Sequence, residues 1–254
     1  MNQGKISIMR YNPKRHRLPP FAASGILLVD KPAEWTSFDV VNCVRNRFNI
    51  PKVGHCGTLD PMATGLLVLV LGKFTSQSAK LTGDNKTYQA TLKLGITTDS
   101  QDITGTVLSE NAWSTVTEDS VRKAVMAKLG KSKQLPPMVS AVKKDGQRLY
   151  ELARKGIEIE REPRDIEIFK IDISRIELPE VDFTAECSKG TYIRTLCADI
   201  GAELGCGGTL AALRRIRCGR FDIADALSMD TLKTMEQEEL TDYVIDFLRK
   251  LTVL

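Results

Sequence analysis

Residues 65–72 read GLLVLVLG, a run without a single polar side chain. A bilayer needs about 20 apolar residues in a helix, so this run is far too short to cross one. It lacks the polar-apolar alternation of a half-exposed strand, and it predicts a strand buried in a core. A chain of 254 residues is long enough to build a sizeable core around it. The segment leading in, HCGTLDPMAT, is a tight bend with one carboxylate, Asp60, set before Pro61. His55 lies five residues earlier. A buried strand that begins with an isolated carboxylate on a Gly-Thr-Leu-Asp-Pro bend is either a turn with its usual acidic residue or a rigid mount for a reactive group.

Other segments fit around that strand. GILLVDKP, 25–32, predicts a buried strand stopped by a lysine and a proline. Thr36 followed by Asp39 has the form of a helix start, and Val40, Val41, Val44 and Phe48 continue at helical spacing. TYQATLKLG alternates, with Tyr88, Ala90, Leu92 and Leu94 on one face. IEIFKIDISRIEL and VDFTAECSKG predict strands, and TYIRTLCADIGAELG predicts a helix stopped at Gly205. Strands and helices follow no regular βαβ cycle, so the expected class is α+β, a mixed and mostly antiparallel sheet flanked by helices.

Charge is distributed unevenly. The net charge is only +4. Residues 1–24 nevertheless hold Lys5, Arg10, Lys14, Arg15 and Arg17 with no acidic residue, a basic N-terminal arm. Residues 121–155 hold ten Lys or Arg against Asp145 and Glu151, and are broken by Pro136, Pro137 and Gly146. This stretch is read as a basic, irregular insertion, either a solvated surface or a phosphate-gripping loop. LRRIRCGRF adds Arg214, Arg215, Arg217 and Arg220. The last residues turn acidic on an expected terminal helix. Nucleic acid is the acidic partner that such basic segments suit.

Several chemistries are missing their sequence signals. No P-loop and no dinucleotide-binding glycine motif occurs, and no GxSxG or HExxH. Six cysteines form no CxxC pair, and His16 and His55 are the only histidines, so no metal site is expected. The cysteines are read as small apolar residues of a reducing compartment. No signal-peptide pattern is present, and a cytoplasmic location is expected. What remains is Asp60, the tyrosines Tyr88 and Tyr192, and Arg194, each with an ordinary structural reading beside the chemical one.

GILLVDKPAEWTSFDVV, KVGHCGTLDPMATGLLVLVLG, KTYQATLKLGITTDSQDITG, LPPMVSAVKKDGQRLYELARKG, GTYIRTL and LRRIRCGRF stand in this order along residues 25–225. In these motifs the chain resembles bacterial TruB-type tRNA pseudouridine synthases. The resemblance implies that Asp60 is the catalytic aspartate and that Tyr88 stacks on the target uracil. It implies that Tyr192 is a second active-site tyrosine and that Arg194 pairs with the aspartate. His55 would contact flipped-out RNA, Leu213 would touch the target nucleotide, and Lys31 belongs to a motif near the site. The reaction implied detaches uracil from C1′, turns it and rejoins it through C5, at uridine 55 of the TΨC loop. It oxidises and hydrolyses nothing, so no cofactor is expected. A target base inside a folded loop has to be flipped out, and an aromatic face such as Tyr88 replaces the lost stacking. Burial favours the neutral form of a carboxyl and a neighbouring guanidinium favours its ionised form, so an Asp60–Arg194 pair would keep a dry carboxylate charged.

The expected organisation is a basic arm at 1–24, a catalytic domain at 25–225 with an RNA-gripping insertion at 131–155, and a helical segment at 226–254 without a full PUA domain. The partner implied is the tRNA T stem-loop, bound by a stand-alone monomer with no guide RNA and no membrane. A non-catalytic RNA-binding or RNA-folding module on the same fold is the alternative. Two positions depart from the family pattern. Val139 stands where a tyrosine is common, which would weaken the grip on RNA. Glu34 stands where a glycine is usual, so the turn after Lys31 is expected to change shape.

Overall fold

A computed structural model of the chain describes residues 18–140, 142–144, 146–149, 152 and 156–253. The cationic residues of the N-terminal arm, Lys5 to Arg17, lie outside them, as do Arg154 and Lys155 of the basic insertion. In chain order the elements are strand β1 (Gly25–Lys31), helix α1 (Ser37–Arg47), β2 (Val53–His55), β3 (Thr64–Leu71), α2 (Ser78–Thr82), β4 (Lys86–Leu94), β5 (Ile96–Thr98), β6 (Val107–Glu110), α3 (Glu118–Met126), β7 (Gly130–Gln134), β8 (Lys143–Lys144), β9 (Gln147–Arg148), β10 (Arg164–Glu177), β11 (Glu180–Cys187), α4 (Ile193–Glu203), β12 (Gly208–Cys218), β13 (Phe221–Asp222), β14 (Leu227–Ser228), α5 (Met229–Thr234) and α6 (Gln237–Val253). This is the α+β class expected, with mostly antiparallel pairing.

The described residues form two compact units, divided at 83/84 and at 219/220. The C-terminal segment is built into the first unit's core. Leu240, Val244 and Phe247 of α6 are buried, and Val244 lies so close to Gly25 that a Cβ there would stand 2.6 Å from its Cγ1.

In the first unit β1 runs antiparallel to β3 and parallel to β14. β3 is the apolar run, buried from Gly65 to Leu71, and β2 pairs with its second edge. Helix α1 starts with a capping box: the Thr36 hydroxyl accepts from the Asp39 N–H at 3.0 Å, and the Asp39 carboxylate accepts from the Thr36 N–H at 2.9 Å. Its Val40, Val41 and Val44 are buried, as the spacing predicts.

In the second unit β12, β4, β11, β10 and β7 pair antiparallel in that order. β4 alternates as read, with Tyr88, Ala90, Leu92 and Leu94 buried. The basic stretch after residue 121 proves more regular than expected. Its first part completes α3, and Gly130–Gln134 is a strand paired with Arg164–Ile168 of β10. The irregular part begins beyond Gln134, at Pro136 and Pro137. Cys56, Cys187, Cys197, Cys206 and Cys218 are buried, in line with their reading as small apolar residues. Among the described residues no helix is long and apolar enough to cross a membrane.

Helix α4 packs on the start of β12 through glycines. A Cβ on Gly201 would stand 2.2 Å from the Gly208 nitrogen, and one on Gly208 would stand 2.9 Å from the Cys197 carbonyl oxygen. Backbone cannot move aside as a side chain can. Gly201→Ala is therefore expected to destabilise the protein by about 3 kcal/mol, the upper end of overpacking effects, read as a lowered midpoint of denaturant unfolding.

Candidate functional site

The residues singled out by sequence fall in both units. Lys31, His55 and Asp60 belong to the first; Tyr88, Tyr192, Arg194 and Leu213 belong to the second.

The Asp60 loop is fixed on both sides of the carboxylate. Before it, Ser37 at the start of α1 is 3% exposed. The Ser37 hydroxyl donates to the Leu59 carbonyl at 3.1 Å and accepts from the Leu59 N–H at 2.9 Å. After it, the Pro61 carbonyl accepts from the Glu34 N–H at 2.8 Å and from the Lys31 ammonium at 3.3 Å. The loop closes on itself through the Ala63 N–H, which donates to the Asp60 carbonyl at 3.1 Å. Pro61 sits second in that four-residue turn, where its fixed φ is favourable. Asp60 itself is half-buried. His55 ends β2, opposite Leu69, and is half-buried as well.

Lys31 is fully buried, and its ammonium also donates to the carbonyls of Pro32 at 2.7 Å and Trp35 at 2.6 Å. It anchors the turn at 32–35 and the Asp60 loop. Glu34 in that turn has φ +66°. This is the left-handed conformation that glycine adopts without penalty.

On the second unit Tyr88 lies on β4 opposite Arg215 of β12, and Leu213 lies two pairs further along, opposite Ala90. Paired residues of an antiparallel ladder share a face, so Tyr88, Leu213 and Arg215 stand side by side. Arg215 is 1% exposed. Its guanidinium donates to the Tyr88 phenol oxygen and favours the phenolate, but burial wins and pushes the phenol up to about 12. Arg215 is therefore a partner of Tyr88, a correction to its reading as a phosphate contact in the arginine run. A β-bulge between Arg215 and Arg217 breaks the alternation that would otherwise have flagged it.

Arg194, in the first turn of α4, is 2% exposed. Its Nη1 donates to the Ser100 carbonyl at 2.8 Å and its Nη2 to the Val139 carbonyl at 2.7 Å. Its Nε lies 3.9 Å from a carboxylate oxygen of Asp102. Asp102 is itself buried and accepts from the Ser100 hydroxyl at 2.9 Å and the Thr104 N–H at 3.0 Å. The loop 99–106 thus aims a carboxylate at Arg194. Asp102 was missed by sequence reasoning. The Asp-Ile-Thr-Gly order marks it as a turn residue, and nothing local marks its partner. Tyr192 immediately precedes α4, half-buried on extended backbone. Val139, the departure in the insertion, is exposed and contributes its carbonyl to Arg194.

The profile of the TruB family pseudouridylate synthase N-terminal domain matches residues 45–193, and that of the tRNA pseudouridylate synthase B C-terminal domain matches residues 194–251. The tRNA pseudouridine synthase B of Opitutus terrae is 48% identical over 221 residues, covering 87% of this chain and 92% of that protein. The tRNA pseudouridine synthase B of Syntrophotalea carbinolica is 44% identical over 228 residues, covering 90% of this chain and 74% of that one. Among solved structures, a Cbf5-Nop10-Gar1 complex superposes with a TM-score of 0.66 at 29% identity, over 86% of this chain and 59% of that chain. An H/ACA RNP bound to a substrate RNA containing 2′-deoxyuridine superposes with a TM-score of 0.61 at 26% identity, over 81% and 51%. The chain spans between half and three fifths of those two solved chains.

Two measurements test the site's construction. Ser37→Ala removes both bonds to Leu59 and is expected to cost about 1–3 kcal/mol, read by denaturant unfolding. Tyr88 binds its proton more tightly in the folded state than an unfolded tyrosine, whose value is about 10. The stability this gives is present below about pH 10 and is lost as pH rises toward 12. The difference in phenolate absorbance between the protein and Tyr88→Phe should accordingly be absent at about pH 10 and emerge only near 12.

Proposed function

The chain belongs to the TruB family of pseudouridylate synthases, and on that premise we propose that it isomerises uridine 55 in the TΨC loop of tRNA, acting as a stand-alone cytoplasmic monomer without guide RNA. The observation that carries the proposal is the 48% identity to a tRNA pseudouridine synthase B over 87% of the chain. An isomerase also suits a site of tyrosines, a carboxylate and a guanidinium. The C1′–N1 bond breaks and a C1′–C5 bond forms. The C5 proton leaves to solvent and N1 regains one, so composition and oxidation state are unchanged.

The roles are those the family resemblance implies, and the way the side chains are held supports them. Asp60, mounted between Ser37 and Lys31, acts at C1′, by attack on that carbon or by removal of a sugar proton. Arg194 has the role the family resemblance implies, the cation that keeps the catalytic carboxylate ionised, and Asp102 and two carbonyls hold its guanidinium in place. Tyr88 is the platform for the flipped uracil, with a phenol that keeps its proton at neutral pH. Leu213 on the same face closes the apolar side of the base. Tyr192 takes part in moving the C5 proton; an unaided phenol is a poor base at neutral pH, so it needs local help. His55 contacts the displaced nucleotide. The insertion at 131–155 grips the RNA stem-loop, with Lys131 and Lys133 on the exposed edge strand β7 as phosphate contacts.

Tritium release from a tRNA transcript labelled at uridine C5 tests this directly. The wild-type protein should release tritium and convert position 55. Asp60→Ala should lower release by about 1,000-fold or more while binding the transcript as well as wild type. Tyr88→Leu should weaken the reaction by about 1–3 kcal/mol through lost stacking. Binding without release by the wild type would instead favour the RNA-binding module.

A further inference from the structure

Gln134 ends β7 and is 3% exposed. A buried primary amide must find partners for both of its ends. Those of Gln134 meet one residue 58 positions away. Its Oε1 accepts from the Tyr192 N–H at 2.8 Å, and its Nε2 donates to the Tyr192 carbonyl at 3.0 Å. The reverse amide orientation would set donor against donor and acceptor against acceptor, so the pairing fixes the amide as well as the backbone. It reproduces with a side chain the two-bond exchange that neighbouring strands make.

Tyr192 is where such a clamp matters. It occupies the N-cap position of α4 with φ −101° and ψ 111°, and no side chain caps that helix start. Its carbonyl also accepts the Leu196 N–H at 3.0 Å, the first bond of the helix. Gln134 therefore holds the last extended residue before the helix, and with it the direction in which the Tyr192 side chain leaves the backbone. Five residues beyond Gln134, the Val139 carbonyl accepts from Arg194. The segment that opens the insertion is thus bonded to α4 at both Tyr192 and Arg194.

We propose that Gln134 is a positioning residue for the isomerisation: it sets Tyr192 for its part in the reaction and ties the root of the insertion to the start of α4. This rests on the assignment of Tyr192 and of pseudouridine synthesis under the proposed function. Gln134 is buried with both ends of its amide spent on Tyr192, so its loss acts on the chemical step rather than on RNA affinity.

The test uses the full chain and a T-arm RNA under single-turnover conditions with enzyme in excess, so that the rate constant does not depend on how much of a variant is folded. Gln134→Met keeps the volume and removes both hydrogen bonds. It should lower the rate constant for pseudouridine formation by about 10- to 100-fold, the scale of a misplacement near 1 Å, with the Kd for RNA unchanged. Gln134→Glu keeps the acceptor for the Tyr192 N–H and loses the donor to its carbonyl, and should fall between Gln134→Met and wild type. If Gln134→Met does not fold, the rate constant of Gln134→Glu decides. A wild-type rate constant in the folded variants, with only the melting temperature or the reacting fraction reduced, would show a purely structural role and overturn the proposal. A wild-type protein that binds the RNA but forms no pseudouridine would overturn the proposed function and this inference together, whereas an active wild type with unimpaired Gln134 variants would overturn this inference alone.

Discussion

A buried guanidinium cannot give up its charge, so it can be kept from water only where the chain supplies acceptors around it. Arg194 makes that demand of the second unit. It recruits a carbonyl from residue 100, another from residue 139 and the carboxylate of Asp102. The acceptors come from two stretches of chain, the loop 99–106 and the segment around Val139, and both must hold their shape for the ion to be satisfied. Removing one partner of such a pair is strongly destabilising because the other charge is left uncompensated. The loop 99–106 is accordingly stitched down: Gln101 and Ile103 exchange backbone hydrogen bonds with Leu210 of β12 at 3.1 and 2.9 Å. Gln101 adopts φ +63°, a conformation non-glycine residues rarely take. Local strain of this kind persists where surrounding bonds over-determine it.

The first unit solves a similar problem with the signs reversed. Its reactive candidate is an anion on a loop, and the stiffening comes from donors placed under the backbone. Lys31 and Ser37 are buried polar side chains whose hydrogen bonds go to the carbonyls and N–H groups around Asp60 rather than outward. A carboxylate on a free loop would have to be ordered each time it acted, and that ordering would raise the barrier. A carboxylate flanked by two anchored residues is ordered when the protein folds. Glu34 adds to the same plan, its N–H donating to the Pro61 carbonyl.

Much of the fold was legible because the signals were local. The unbroken apolar run of β3, the alternation of β4 and the Thr36–Asp39 cap each need only neighbouring residues to interpret, and each element formed where expected. The Asp60 bend was legible for the same reason, its Gly, Thr and Pro being turn chemistry. What was not legible depends on partners far along the chain. Gln134, Asp102 and Arg215 are polar residues in polar-looking surroundings, and sequence alone assigns them to the surface. Their burial follows from pairing with Tyr192, Arg194 and Tyr88, contacts that only the assembled second unit creates. The basic stretch misled in its first part for a related reason. Lys131 and Lys133 are exposed residues of an edge strand, and Gln134, the next residue, is the one that turns inward.

That inward turn shows how a strand edge is put to use. The outermost strand of a sheet has one row of backbone groups without a neighbour, and charged residues there discourage pairing with other chains. β7 carries two lysines and ends in one amide that pairs with another segment's backbone. The change happens where the strand stops and the Pro136–Pro137 break prevents it from continuing. The sheet's register thus runs through β10 and β7 to Gln134, and from there by two hydrogen bonds to the residue that starts α4. The start of this helix has no side-chain cap of its own, and the sheet edge holds it instead. A segment that clasps RNA beyond that edge would then share its foundation with the tyrosine and arginine at the helix start.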